Sequence, residues 1–391
     1  MAKKTICTCF MVLAVVFVHQ SNCLTQSQIN YLKQKLNERY SQVDYSENNI
    51  GFEYSASETF ESDSKQDKQE EDTNEIQEDD DDVHVINVDI RMPNVQPTHE
   101  NEYFCHALEM PMDRSVFIIG YDPQAEMGTA HHMLLYGCSK PGSRNNTWNC
   151  GEMASSNDGP VCDEGSKILY AWAMDAPSLE LPKDVGFEVG GDTGINQLVL
   201  QVHYGKIGDK IKEHFIDDSG ITLQITDQPK RLSAAVYLLG SEGRVPGHST
   251  VYMESACSYE HSQVLYPFAF RVHTHKLGKV VSAYRIRNQQ WTEIGRQDPH
   301  KPEMFYPIEK NMTIEYGDIL AARCTMVNDM DKTVFTGATS DDEMCNFYMM
   351  YYTSGTLPDI DNCFRGEKFH WQNYFKNIPS DASNLPKSKE E

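Results

Sequence analysis

The chain has 391 residues, 39% of them apolar, enough for two ordinary domains with buried cores. A formal net charge of −24 argues against a nucleic-acid binder, because phosphate contacts need a cationic surface. No Gly-x-Ser-x-Gly, His-Glu-x-x-His or Gly-x-Gly-x-x-Gly string occurs, which removes the motif-level case for α/β hydrolases, helical zinc proteases and Rossmann dehydrogenases.

In chain order, Lys3 and Lys4 precede an apolar run from Ile6 to Val18, too short and too near the end for a membrane span, so residues 1–23 read as a secretory signal peptide. No later run reaches spanning length, and the expectation is a product secreted or held in the secretory-pathway lumen without a membrane span. Residues 24–82 form an N-terminal segment. There Ile29, Leu32, Leu36 and Tyr40 predict one short amphipathic helix. From Glu61 to Asp82 follow twelve acidic residues and two lysines, the composition of a disordered, solvated linker, with cation buffering or a partner-binding tail as alternatives.

From Val83 the texture changes to short Val, Ile, Tyr, Phe and Thr-rich runs broken by Gly, Pro, Asn and Asp, which predicts an all-β sandwich or barrel. Strands are expected over Val116 to Tyr121, Gln197 to His203, Gly220 to Ile225, Phe268 to His273, Lys279 to Ile286 and Asn346 to Tyr352. The turn signal Thr226 to Pro229 divides the β region into residues 83–228 and 229–365, with 366–391 as a C-terminal tail. Cys7, Cys9 and Cys23 lie in or beside the signal. The other eight cysteines are even in number and form no Cys-x-x-Cys, as expected of disulfides in an oxidising compartment. The sequons at Asn145 and Asn311 would be glycosylation acceptors there.

Three patterns carry chemistry. In Arg271-Val272-His273-Thr274-His275 the odd positions share one face of an extended chain, so two imidazoles and a guanidinium meet. Imidazoles at i and i+2 can reach one copper, zinc, iron or nickel ion, although two hydrogen-bonded surface histidines give the same pattern. Met344, Asn346 and Tyr348 share a face by the same rule, with Cys345 turned away. If the Met344 thioether completes the His273 and His275 site, the metal is copper, since sulfur of that kind suits Cu(I) and not zinc; an isolated Met is otherwise core filler. His131 and His132 are adjacent, so both reach one ion only at a bend or strand end, which Gly128-Thr129 could supply. His203, two residues after Gln201 in a strongly β run, is either their third partner or a core histidine bonded to backbone.

The strings HHMLLYGC (131–138), LPKDVGFEVGGDTG (181–194), LQVHYG (200–205), RVHTHKLGKVVSAYRIRNQQW (271–291), GDILAARC (317–324) and DEMCNFYMMYY (342–352) resemble the peptidylglycine α-hydroxylating monooxygenase family, from about Val83 to Cys363 in consistent order. The resemblance implies two jelly-roll-like antiparallel β-sandwich domains with one copper ion each across a solvent-filled cleft. It assigns His131, His132 and His203 to the electron-supplying copper, and His273, His275 and Met344 to the catalytic copper that binds dioxygen. Ascorbate is the implied reductant. Arg271 would pair with the terminal carboxylate of a glycine-extended peptide, with Asn346 and Tyr348 beside it, and the glycine Cα would be hydroxylated.

The same resemblance implies the pairings Cys105–Cys150, Cys138–Cys162, Cys257–Cys363 and Cys324–Cys345. Two departures stand out. A further bridge common in the family would engage the stretch Phe215 to Ser219, which holds no cysteine, and nothing after Cys363 is long enough for a lyase domain. The expected product is therefore the α-hydroxyglycine peptide, left to a separate lyase. The alternative activity is β-hydroxylation of a phenethylamine such as tyramine, for which a carboxylate clamp at Arg271 is ill suited. A non-catalytic copper-binding protein on the same fold is the alternative from outside the enzymes.

Overall fold

The computed structural model describes residues 84–151, 158–173, 175–205, 207–337 and 341–385; the signal peptide, the amphipathic helix and the acidic stretch lie outside them. The described chain is almost entirely β. The main strands are β1 (Ile86–Arg91), β2 (Glu102–Glu109), β3 (Ser115–Gln124), β4 (His132–Cys138), β5 (Lys167–Ala173), β6 (Val185–Gly190), β7 (Gln197–Tyr204), β8 (Gly220–Thr226), β9 (Leu232–Ser241), β10 (Ser249–Ser258), β11 (Tyr266–His273), β12 (Gly278–Arg287), β13 (Gln290–Gln297), β14 (Ile319–Asn328), β15 (Asn346–Ser354) and β16 (Asn362–Arg365). Each of the six strands expected from the sequence lies within one of these. The single α-helix among the described residues is one turn, Gly208–Lys212.

In the first sandwich the sheet β2-β7-β4-β5, extended by Thr147–Asn149, faces the sheet β1-β8-β3-β6. β1 alternates buried and exposed residues as an edge strand covered on one side should, whereas every residue of β4 is buried, as befits a central strand. In the second sandwich, β10-β14-β12-β13 packs against β9-β15-β11 around Leu239, Val272, Val281, Leu320, Phe347 and Met349. The front sheets of the two sandwiches are continuous. β6 pairs in parallel with β9 through Val185↔Leu232 and Gly186↔Ser233, so one ten-stranded sheet runs across the turn at 226–229.

Four disulfides staple these layers: Cys105–Cys150, Cys138–Cys162, Cys257–Cys363 and Cys324–Cys345. The third closes a loop of 106 residues, the kind of long closure that most restricts the unfolded chain. The stretch 215–219 is held without sulfur. Val95 and Asp217 exchange backbone hydrogen bonds of 3.0 and 2.8 Å, and the Asp217 carboxylate accepts from Tyr204 Oη at 2.5 Å and Ser219 Oγ at 2.6 Å.

Residues 366–385 do not trail away as a free tail. Trp371 is fully buried with Ala382 against Tyr284 and Ile286. Its backbone N–H donates to Glu254 Oε2 at 2.7 Å and its indole to Ser255 O at 3.0 Å. Arg323 lies between the rings of Tyr252 and Trp371, 4.6 and 4.5 Å from their centroids, and donates to Glu254 at 2.7 Å. The buried Glu254 carboxylate is thus neutralised and hydrogen-bonded, which its burial requires.

Candidate metal centres and substrate site

His132 opens β4 and His203 nearly closes β7, and the two are paired across the ladder. His131 precedes the strand, where the turn at 127–129 ends, and its N–H donates to His203 O at 2.8 Å. That strand-end position, one of the two the sequence left open, lets adjacent histidines serve one point. Gly205 makes room for it: a Cβ there would sit 3.0 Å from the His131 side chain. The ligand atoms of His131, His132 and His203 all lie within 4.8 Å of one another. The His203 ring is stacked on Tyr103 at 4.1 Å, and both its nitrogens are buried without a hydrogen-bond partner. Two orphaned ring nitrogens would cost about 1–3 kcal/mol each, so the site is built to be completed by an ion.

The second group is assembled from β11 and β15. Arg271 pairs with Tyr348 and His273 with Asn346 in the ladder, so all four project from one face. Asn346 Nδ2 lies 3.8 Å from Met344 Sδ, which puts the thioether on that side, while Cys345 turns inward to Cys324. His275 Nδ1 donates to Asp342 O at 3.0 Å, and His273 Nδ1 donates to Glu303 Oε2 at 2.9 Å. Both rings therefore commit Nδ1–H to a neighbour and keep the Nε2 lone pair for a metal, the usual outer-sphere arrangement. The ring centroids are 5.3 Å apart, and His273 Nε2 is buried without a partner.

Two carboxylates missed by sequence reasoning organise this site. Glu343, fully buried, accepts backbone N–H bonds from His275 at 2.5 Å, Leu277 at 2.8 Å and Met344 at 2.9 Å. It ties the end of the histidine strand to the start of the methionine strand. Glu303 bonds Arg271 as well as His273. Burial alone would raise its carboxyl pKa, but His273 and Arg271 outweigh that and hold it well below the usual carboxylate range. Adjacency to Met344 was the only available signal for Glu343; Glu303, in a charged loop, had none.

The two groups face each other. Burial lowers the pKa of His132 to about 4, with the Glu303 charge partly opposing, and that of His203 to about 2, with His132 adding to the effect of burial. Burial also raises the Tyr136 and Tyr348 hydroxyls, each of which feels Arg271. His132, His203 and His273 are each less than 10% exposed and Arg271 is 2% exposed, whereas His131 is exposed and His275 half-buried, so each histidine group keeps one ring toward solvent. What remains between the sandwiches is a cavity of about 780 Å³, with Tyr136, Ile168 and Phe187 on one wall and Val236, Leu238 and Tyr348 on the other.

Rings held neutral by burial give the copper-free protein a defined acid sensitivity. The unfolded chain takes up protons below about pH 6.5 while folded His132 and His203 do not, so stability falls with pH below that value. Between pH 7.5 and pH 5 each ring should cost on the order of 2 kcal/mol, read as a drop in the urea midpoint of the copper-free protein.

Family models match most of the chain. The N-terminal domain of the copper type II ascorbate-dependent monooxygenases matches residues 88–210, and the C-terminal domain of the same family matches 232–376. The chain belongs to the copper type II ascorbate-dependent monooxygenase family. It is 44% identical over 306 residues to the peptidylglycine alpha-amidating monooxygenase of Rattus norvegicus, an alignment covering 76% of this chain and 30% of that protein. Against peptidyl-glycine alpha-amidating monooxygenase B of Xenopus laevis it is 44% identical over 269 residues, 68% of this chain and 30% of that protein. Dopamine beta-hydroxylase of Homo sapiens is 29% identical over 325 residues, 74% of this chain and 50% of that protein. The chain thus spans less than a third of the amidating relatives.

Copper is the metal of the family and ascorbate its reductant, with dioxygen as co-substrate. The donors suit copper: three imidazoles converge in one group, and in the other two imidazoles stand near one another with a soft thioether 3.8 Å from Asn346, the ladder partner of His273.

Proposed function

We propose that this chain is a secreted or lumenal monooxygenase that hydroxylates the Cα of C-terminal glycine in peptides, the first step of C-terminal amidation. The observation that carries this reading is the shared face of Arg271, His273, Asn346 and Tyr348. A guanidinium two residues from a metal-ligating ring suits a peptide carboxylate, which it can grip with two parallel bonds, and does not suit an amine. The four disulfides fit an oxidising compartment, and no helix among the described residues is long and apolar enough to cross a membrane.

His131, His132 and His203 would hold one copper ion and His273, His275 and Met344 the other. Bound copper supplies one-electron redox chemistry and the activation of dioxygen. The chain's own residues position and shield. Arg271 binds the terminal carboxylate, assisted by Asn346 and Tyr348, and thereby places the glycine Cα beside the His273 ring. The cavity starting at Tyr348 and Tyr136 has room for the residue before glycine. Buried walls around His132, His203 and His273 keep bulk water from the reacting centre. The product is an α-hydroxyglycine peptide. Asn145 and Asn311 are both exposed, as glycan acceptors must be.

The test is oxygen consumption by copper-loaded protein with ascorbate, together with mass analysis of the peptide. A glycine-ended peptide should gain one oxygen atom, and tyramine should give little coupled turnover. The reverse preference would transfer the chain to the amine hydroxylases. Arg271→Gln should raise KM for the peptide roughly ten- to hundredfold, the worth of a charged hydrogen bond, with a smaller change in kcat.

A further inference from the structure

Arg271 has a carboxylate before any peptide arrives. Its guanidinium is packed 4.9 Å from the centroid of the Tyr348 ring, and Nη2 bonds Glu303 Oε2, the same oxygen that accepts from His273 Nδ1. The pair is asymmetric: the Arg271 side chain is 2% exposed and that of Glu303 18%. Glu303 sits on the loop between β13 and the short strand Tyr306–Pro307, which is pinned on either side of it. Tyr306 Oη donates to Pro302 O at 2.8 Å, and Phe305 is buried.

We propose that Glu303 is a built-in occupant of the Arg271 clamp, and that a peptide enters by exchange of its terminal carboxylate for the Glu303 side chain. The inference rests on the glycine-peptide reading above. Its physical basis is charge. Arg271 and Glu303 sum to zero, so a second carboxylate on the same guanidinium would leave an uncompensated negative charge beside another in a buried site, which is costly. Arg271 is enclosed and cannot withdraw. Glu303, the member nearer water and on a loop, is the one that leaves. Until then it shields the buried guanidinium from standing unpaired and keeps the clamp shut to neutral chain ends, which offer nothing to replace it. Glu303 is thus a specificity-determining residue: affinity for the peptide is the difference between two carboxylates competing for one guanidinium.

Glu303→Gln removes the competing charge while keeping an oxygen able to accept the His273 bond. In the copper-loaded protein, KM for a glycine-ended peptide and its equilibrium Kd under anaerobic conditions should both fall about tenfold, with kcat moving far less and two copper ions retained. The same peptide with its terminus amidated should gain nothing. Unchanged or weakened binding of the glycine-ended peptide would overturn the exchange. A second measurement needs no variant: amide hydrogen exchange across 298–305 in the wild type should quicken when peptide saturates the site, and slower or unchanged exchange counts against displacement. Wild-type protein that fails to bind glycine-ended peptide at all would remove the parent reading instead.

Discussion

Met344→Ile should abolish peptide hydroxylation while leaving the molecule folded. The side chain is half-buried at the entrance to β15, and isoleucine nearly conserves its volume, a change that usually costs less than about 1.5 kcal/mol. What isoleucine lacks is a donor atom. With only His273 and His275 left, Cu(I) loses its soft third ligand, and turnover should fall by at least about a hundredfold, beyond the range seen when only outer-sphere partners are removed. The group of His131, His132 and His203 lies on other strands, so one ion per chain should remain and the melting temperature should change little. Copper counting, melting and the oxygen assay together decide it. Activity at the wild-type level would take Met344 out of the site.

Strand placement was legible because β-branched and aromatic runs bounded by turn residues leave few other options, and period-two alternation told which side chains share a face. That logic carries Arg271 with His273 and Met344 with Asn346 from the sequence into the structure unchanged. His131 and His132 were legible in a different way: adjacent residues cannot both reach one ion from a regular strand, so a bend or a strand end was required, and β4 begins at His132. Contacts between residues distant in sequence and lacking a periodic signal were not legible. Glu303 lies thirty residues from His273 in an irregular loop. Burial at Glu254 and Trp371 depends on the 366–385 segment meeting Arg323 and Glu254, which lie far from it in sequence. The parallel pairing of β6 with β9 was hidden for a related reason, since a two-residue join leaves no compositional trace.

Glu343→Ala should do what Met344→Ile does not, lowering both copper content and stability. Three backbone N–H groups, from His275, Leu277 and Met344, end on this one carboxylate. The residue is completely buried, so alanine leaves those donors facing a void or a single imported water. Each unsatisfied donor costs about 1–3 kcal/mol, and a loss on the order of 3–5 kcal/mol follows after partial relaxation, equivalent to a fall in melting temperature of about 10 °C or more. The same three bonds set the distance between the strand end bearing His275 and the segment bearing Met344. The Cys324–Cys345 disulfide holds only the Met344 side of that junction, and it cannot replace the carboxylate at His275. Copper should therefore be lost from the His273, His275 and Met344 group even at temperatures where the variant is folded, while the three-histidine group keeps its ion. Glu343→Gln should fall between, because its oxygen still accepts while its amide hydrogens oppose the remaining backbone donors. A Glu343→Ala protein that melts within two or three degrees of wild type and binds two ions would show that the junction is held by the β-ladders and the disulfide alone.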